Sequence, residues 1–101
     1  MDAEVIHEPE RDRFTVTADG VAAGFAQYRE RPGVVSFVHT EIDPVQQGKG
    51  LASRLIAYAL EDARDRELAV LPHCSFVREY LSEHPEFTAL VPEDSRADFG
   101  L

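Results

Sequence analysis

The tract Asp43-Pro44-Val45-Gln46-Gln47-Gly48-Lys49-Gly50-Leu51-Ala52 concentrates the residues able to do chemistry. Gly48, Gly50 and the small Ala52 let a ligand come close to the backbone. An amphipathic stretch follows at once, so the free N–H groups of its first turn would face that ligand. The helix dipole favours negative charge there, and Lys49 adds a cation. The chemistry is that of a phosphate cradle, with a plain helix start as the alternative. Two well-known phosphate loops do not fit. Asp43 and Gly50 stand where a Walker A loop needs Gly and Ser or Thr. Ser53 replaces the third glycine of the dinucleotide pattern, which belongs near the start of a parallel sheet.

Four further residues could move protons or act as nucleophiles. Cys74 precedes Ser75 at the expected start of a helix and adjoins His73, and both features favour a thiolate. It reads as a candidate nucleophile or acid, or as a small buried hydrophobe. His39 lies on a central strand, as a base or as a polar residue pairing across the sheet. His73 reads as a turn residue and Tyr80 as core or, less readily, an acid. His7 and His84 have no distinctive context. One Cys and four His without C-x-x-C or i,i+4 spacing predict no metal site.

These residues need elements to hold them. Glu4–Glu8 reads as a short edge strand, interrupted by Pro9 and the charged residues after it. Phe14, Val16 and Ala18 alternate with Arg13, Thr15 and Thr17, the period of a half-buried strand. Asp19-Gly20 predicts a two-residue hairpin into a return strand over Val21–Arg29. Arg31-Pro32-Gly33 turns the chain into Val34–Ile42, the most strand-like segment, ended by Asp43-Pro44. Leu51, Leu55, Ala59 and Ala63 then recur every four residues, predicting a helix from about Gly50 to Arg66. Leu68–Leu71 reads as a strand, Ser75–Ser82 as a second helix and Phe87–Val91 as a last strand. From Pro92 onward the chain is polar and reads as a frayed tail. The whole predicts one α/β (α+β) domain over residues 1–101, with its core at about 5–91.

The balance of 19 Asp and Glu against 10 Lys and Arg gives a formal charge of −9. That argues against nucleic acid and against anionic membrane surfaces as partners, since both are bound through cationic surplus. It suits cationic substrates such as amines, or simply a self-repelling surface. A single cysteine excludes an intrachain disulfide scaffold. The start of the chain shows no basic region followed by an apolar stretch. The longest apolar runs span only a few residues, so the expected compartment is the cytosol.

With this order of elements, Gln47-Gly48-Lys49-Gly50-Leu51-Ala52 reads as Q/R-x-x-G-x-G/A and resembles the acyl-CoA pyrophosphate loop of the GNAT superfamily of N-acetyltransferases. Val38-His39-Thr40, the tract Leu71–Val77 and His84-Pro85-Glu86-Phe87 resemble the minimal GNAT-like proteins of one small domain. The resemblance implies a mixed sheet: an antiparallel meander, then a parallel strand pair that splays open, with two helices. Acetyl-CoA would lie in that opening. Its pyrophosphate would take backbone N–H groups of Gln47, Gly48, Lys49, Gly50, Leu51 and Ala52, and its pantetheine arm would pair near Glu41 and Ile42. The reaction implied is acetyl transfer to a primary amine of a small molecule or a protein, with no metal and with Cys74 and His39 as candidate catalytic residues. The sequence departs from larger relatives in lacking the helical segment that shapes their acceptor site. Cys74 stands near the usual Asn place, Tyr80 is one residue off the usual Tyr spacing, and His84-Pro85-Glu86-Phe87 replaces Gly-Phe. The rival readings are an acyl-CoA-holding module without turnover and a protein-interaction domain.

Overall fold

The computed structural model describes residues 2–101. Five strands form one sheet in chain order: β1 (Ala3–Glu8), β2 (Arg13–Ala18), β3 (Val21–Arg31), β4 (Val34–Ile42) and β5 (Ala69–Pro72). The first three pairings are antiparallel and the last, β4 with β5, is parallel. Asp19 and Gly20 both take positive φ, 51° and 83°, the geometry that turns β2 tightly into β3. A parallel pair needs a crossover, and helix α1 (Leu51–Asp65) supplies it. The second helix, α2 (Ser75–Glu83), follows β5.

Helix α1 forms because its stripe of Leu51, Leu55, Ile56, Ala59, Leu60 and Ala63 finds a sheet to cover. All six are buried. Each Leu or Ile so buried contributes about 1.5–3 kcal/mol relative to exposure. The facing strands present Phe14, Val16, Ala26 and Phe37, none more than 2% exposed. α2 adds Val77 and Leu81 to the same core.

Two breaks in strand pairing shape the functional end. In β4, Phe37 pairs with Tyr28 and His39 with Gln27, so Val38 bulges out. A bulge moves the residues after it to the other face. Val35 and Phe37 point to the helices, then Thr40 and Ile42 do, while His39 and Glu41 turn away. The second break is the splay. β5 pairs with Val34 to Phe37, and Cys74 N–H donates to the Phe37 carbonyl at 3.0 Å. Among the described residues that ladder stops there, while β4 runs on to Ile42.

Two expectations are corrected. Phe87–Val91 is not a strand: Pro85–Leu90 is a 3-10 helix. Pro85 opens it, and Phe87, Leu90 and Val91 have helical rather than alternating spacing. Phe87 and Val91 are buried, with the Arg64 guanidinium 5.2 Å from the Phe87 ring centre. Nor is the stretch after Pro92 frayed, since Glu93–Phe99 is a 3-10 helix. Arg96 Nε donates to the Val91 carbonyl at 3.0 Å, and Phe99 packs edge-on to His73.

Candidate functional site

The site is built where β4 leaves its partner and the chain turns into α1. Asp43 caps a short 3-10 helix, Pro44–Gln46, by accepting the Val45 N–H at 3.1 Å. Gln47 is extended and its side chain reaches back to the Ile42 carbonyl at 3.4 Å. Gly48 and Gly50 then adopt the left-handed conformation, with φ 82° and 75°. A side chain there would meet no neighbour, so the backbone geometry is what demands glycine. Gly50 is the N-cap of α1 and provides no side-chain cap. The first N–H groups of the helix are thereby left to an outside acceptor.

A cleft of about 290 Å³ opens on this turn, lined by Ile42, Gln46, Gln47, Gly48, Gly50, Leu51, Ala52, Ser53 and Phe76. Five of the six loop residues expected to bind pyrophosphate therefore line one cavity. Lys49 does not: its Nζ donates to Gln46 Oε1 at 3.0 Å, beside the cleft. The Leu51 side chain is committed to the core, so its contribution is backbone. Ile42 lines the cleft and Glu41 does not, although both lie on the part of β4 without a β5 partner. Backbone donors at an uncapped helix start, without a Cβ at Gly48 or Gly50, fit an anionic diphosphate.

Phe76, Ser53 and Gln46 were missed by sequence reasoning. By spacing Phe76 reads as part of the apolar stripe of α2 with Val77, Tyr80 and Leu81, yet it is 39% exposed. A second groove of about 190 Å³ continues from the cleft between the helices, past Ala52 and Phe76 to Glu79, Tyr80 and Glu83. Burial raises the Tyr80 phenol pKa above its ordinary value, so it stays protonated. Its ring stacks on His84 at 3.8 Å.

The candidate catalytic residues are not brought together. Cys74 is 6% exposed, outside the cleft lining, and its Sγ donates to Thr40 Oγ1 at 3.2 Å. His39, one residue before Thr40, projects from the opposite face because successive strand residues alternate. There its Nε2 donates to Glu41 Oε1 at 2.9 Å. His73 turns its ring to Phe99, 5.2 Å between centres. None of the hydrogen bonds among the described residues joins the Cys74 thiol to an imidazole. The bulge at Val38 separates His39 from the thiol side.

Among the described residues, no group of three or more His, Cys, Asp or Glu side chains is placed to hold a metal ion. No helix among them is long and apolar enough to cross a membrane.

Known proteins are similar to this chain. The family model for the GCN5-related N-acetyltransferases matches residues 13–90, more than half of the chain. Protein NATD1 of Gallus gallus is 29% identical over 84 residues, covering 81% of this chain and 76% of that protein. Protein NATD1 of Homo sapiens is 29% identical over 83 residues, covering 80% and 74%. The solution structure of a GCN5-like protein from Staphylococcus aureus superposes with a TM-score of 0.68 at 20% identity, covering 88% of this chain and 87% of its own. That likeness is one of fold, a mixed sheet with helices. By the match over residues 13–90, the chain belongs to the GCN5-related N-acetyltransferase family.

Proposed function

We propose that the protein transfers an acetyl group from acetyl-CoA to a primary amine. One observation carries the reading: the uncapped start of α1, with left-handed Gly50, opens into a cleft beside the unpaired end of β4. Backbone N–H groups of Gly48 to Ala52 would hold the pyrophosphate, with Lys49 adjoining. The free edge of β4 at Glu41 and Ile42 would orient the pantetheine arm, and Phe76 would shield it from water. When bound, acetyl-CoA supplies an acetyl thioester, whose carbon–sulfur bond breaks as the amine nitrogen forms an amide.

His39 is the residue best placed to take the proton that the amine must lose. Its Nε2 lies 2.9 Å from Glu41 Oε1, so the carboxylate would orient the ring and Nδ1 would be the nitrogen left to accept a proton. Cys74 has no reacting role in this reading, because its thiol is buried and already hydrogen-bonded to Thr40. Transfer is direct.

Calorimetry with acetyl-CoA tests the donor site. Gly50→Val forces a branched residue into the left-handed region, a strain of about 1–2 kcal/mol, and CoA affinity should collapse while the protein stays folded. Unchanged affinity would remove the loop from the site. Release of CoA thiol in the presence of amines then separates an enzyme from a module that only holds acyl-CoA.

A further inference from the structure

We propose that Gly24 is a positioning residue for the donor site. By carrying no side chain it lets the end of β4 lie close against β3, and so holds the Glu41–Ile42 edge in place beside the cleft. This rests on the acetyl-CoA reading and names a residue that acts through β4.

Gly24 lies in the interior of β3, where glycine weakens a strand and so marks a bulge or a close approach. Both are present. In the β2–β3 ladder Val16 pairs with Gly24 and Thr17 with Ala22, so Ala23 bulges out. The bulge bends β3 where β4 ends. There the Asp43 N–H donates to the Ala23 carbonyl at 2.7 Å, and Gly24 pairs with Ile42. The approach is too close for a side chain. A Cβ on Gly24 would fall on the Glu41 carbonyl oxygen, 2.6 Å from Ile42 Cδ1 and 3.1 Å from Ile42 Cα. The Ile42 tip could turn aside, but a backbone carbonyl moves only with its strand.

Little else fixes this stretch. The β5 ladder stops at Phe37, so among the described residues β3 is the only strand that pairs with Glu41 and Ile42. On the open face of the sheet, the one the helices leave uncovered, Ala23, Gly24, Phe25, Glu41 and Asp43 line a groove of about 420 Å³ instead of packing under another element. On the helix side Ile42 lines the cleft. A methyl at position 24 would therefore push Glu41 and Ile42 off the pantetheine arm that this edge would pair with. The pyrophosphate loop would keep its own local bonds, Val45 to Asp43 and Lys49 to Gln46.

Calorimetry on Gly24→Ala, with the fold checked by circular dichroism, tests this with two ligands. Affinity for acetyl-CoA should fall about tenfold, the worth of a lost backbone pairing. Affinity for 3′,5′-ADP, the nucleotide end alone, should be held. Equal losses for both ligands, or a loss for neither, would overturn the proposal. Combining Gly24→Ala with Ile42→Val removes Cδ1 and leaves the carbonyl conflict, so acetyl-CoA binding should stay weak. Recovery to the wild-type value would overturn the role given to the strand. The wild-type protein supplies a measurement that needs no variant. In an NMR titration acetyl-CoA should shift the Gly24 amide together with those of Glu41 and Ile42, whereas 3′,5′-ADP should leave it unmoved. A Gly24 amide indifferent to acetyl-CoA would also overturn the proposal. Failure of the donor reading would look different: the wild-type protein would bind acetyl-CoA no more tightly than 3′,5′-ADP, or not at all.

Discussion

The two faces of the sheet are made by the same strands and have almost nothing in common. Toward the helices, Phe14, Val16, Ala26 and Phe37 are sealed in the core. Away from them, Arg13, Gln27, His39 and Glu41 meet solvent or line a groove. Period-two alternation sorts the residues of each strand this way, and the bulge at Val38 decides what β4 contributes. Without it, His39 would follow Phe37 into the core and Thr40 would face out. One extra residue thus places an imidazole on the open face and a hydroxyl against Cys74. Packing and the proposed proton chemistry occupy opposite sides of one strand.

That contrast can be broken, and the largest effect tests the covered face. Phe37→Ala should cost about 3–5 kcal/mol in chemical denaturation, through lost burial and a cavity. Phe25→Ala, on the open face and only partly buried, should cost about 1 kcal/mol. Equal losses would mean that the open face is a second core.

The next effect is kinetic. His39→Ala should lower kcat about 10²-fold and leave CoA affinity by calorimetry as it was. An equal loss of both would place the imidazole on the cofactor side of β4. Cys74→Ala sharpens the same division. Activity should persist and stability should fall by about 1 kcal/mol, the worth of the Thr40 hydrogen bond. Iodoacetamide should label the native thiol slowly, and rapid labelling blocked by acetyl-CoA would return Cys74 to the reaction.

The smallest effect is a pH dependence seated on the open face. Glu8 accepts hydrogen bonds from the Thr15 hydroxyl and from Arg13, and its carboxyl pKa lies below the usual 4.5, the Thr15 bond being the larger cause. The folded state therefore favours the ionised form. Its contribution is present above 4.5 and fades as pH falls through the lower folded value. Thr15→Val should narrow the gap between urea midpoints at pH 7 and in that acid range. An unchanged gap would show that the Thr15 bond contributes nothing to stability.

The loop and its helix were legible because both have strong local signals: paired glycines, then apolar residues at every fourth position. The parallel pairing was legible too, since a helical crossover demands it, while the splay came only with the family resemblance. The division between His39 and Cys74 was not, because direction on a strand depends on register. A trace of it lies in β4, where Val35 and Phe37 give way to Thr40 and Ile42 after an odd step. The end of the chain misled for a different reason. Phe87, Thr88 and Val91 are β-formers by type, but Pro85 and the spacing of Phe87, Leu90 and Val91 belong to a helical turn. The grooves that include Phe25 and Phe76 arise only when elements distant in the chain are assembled.

The strand order has a consequence for how the molecule comes into being. Each of β2 to β4 lies beside its predecessor in the chain, so the meander can zip up by successive hairpins, each closing a short loop. Only β5 must return across a helix, a longer closure of the kind that slows folding. Synthesis proceeds from the N-terminus, so the open face, with its His39–Glu41 pair, emerges before the cleft has its second wall. The last joint to close is the one between β4 and β5. Partial unfolding that released β5 and α2 would dismantle the proposed cofactor cleft while leaving the hairpins that carry Phe25 and His39 paired.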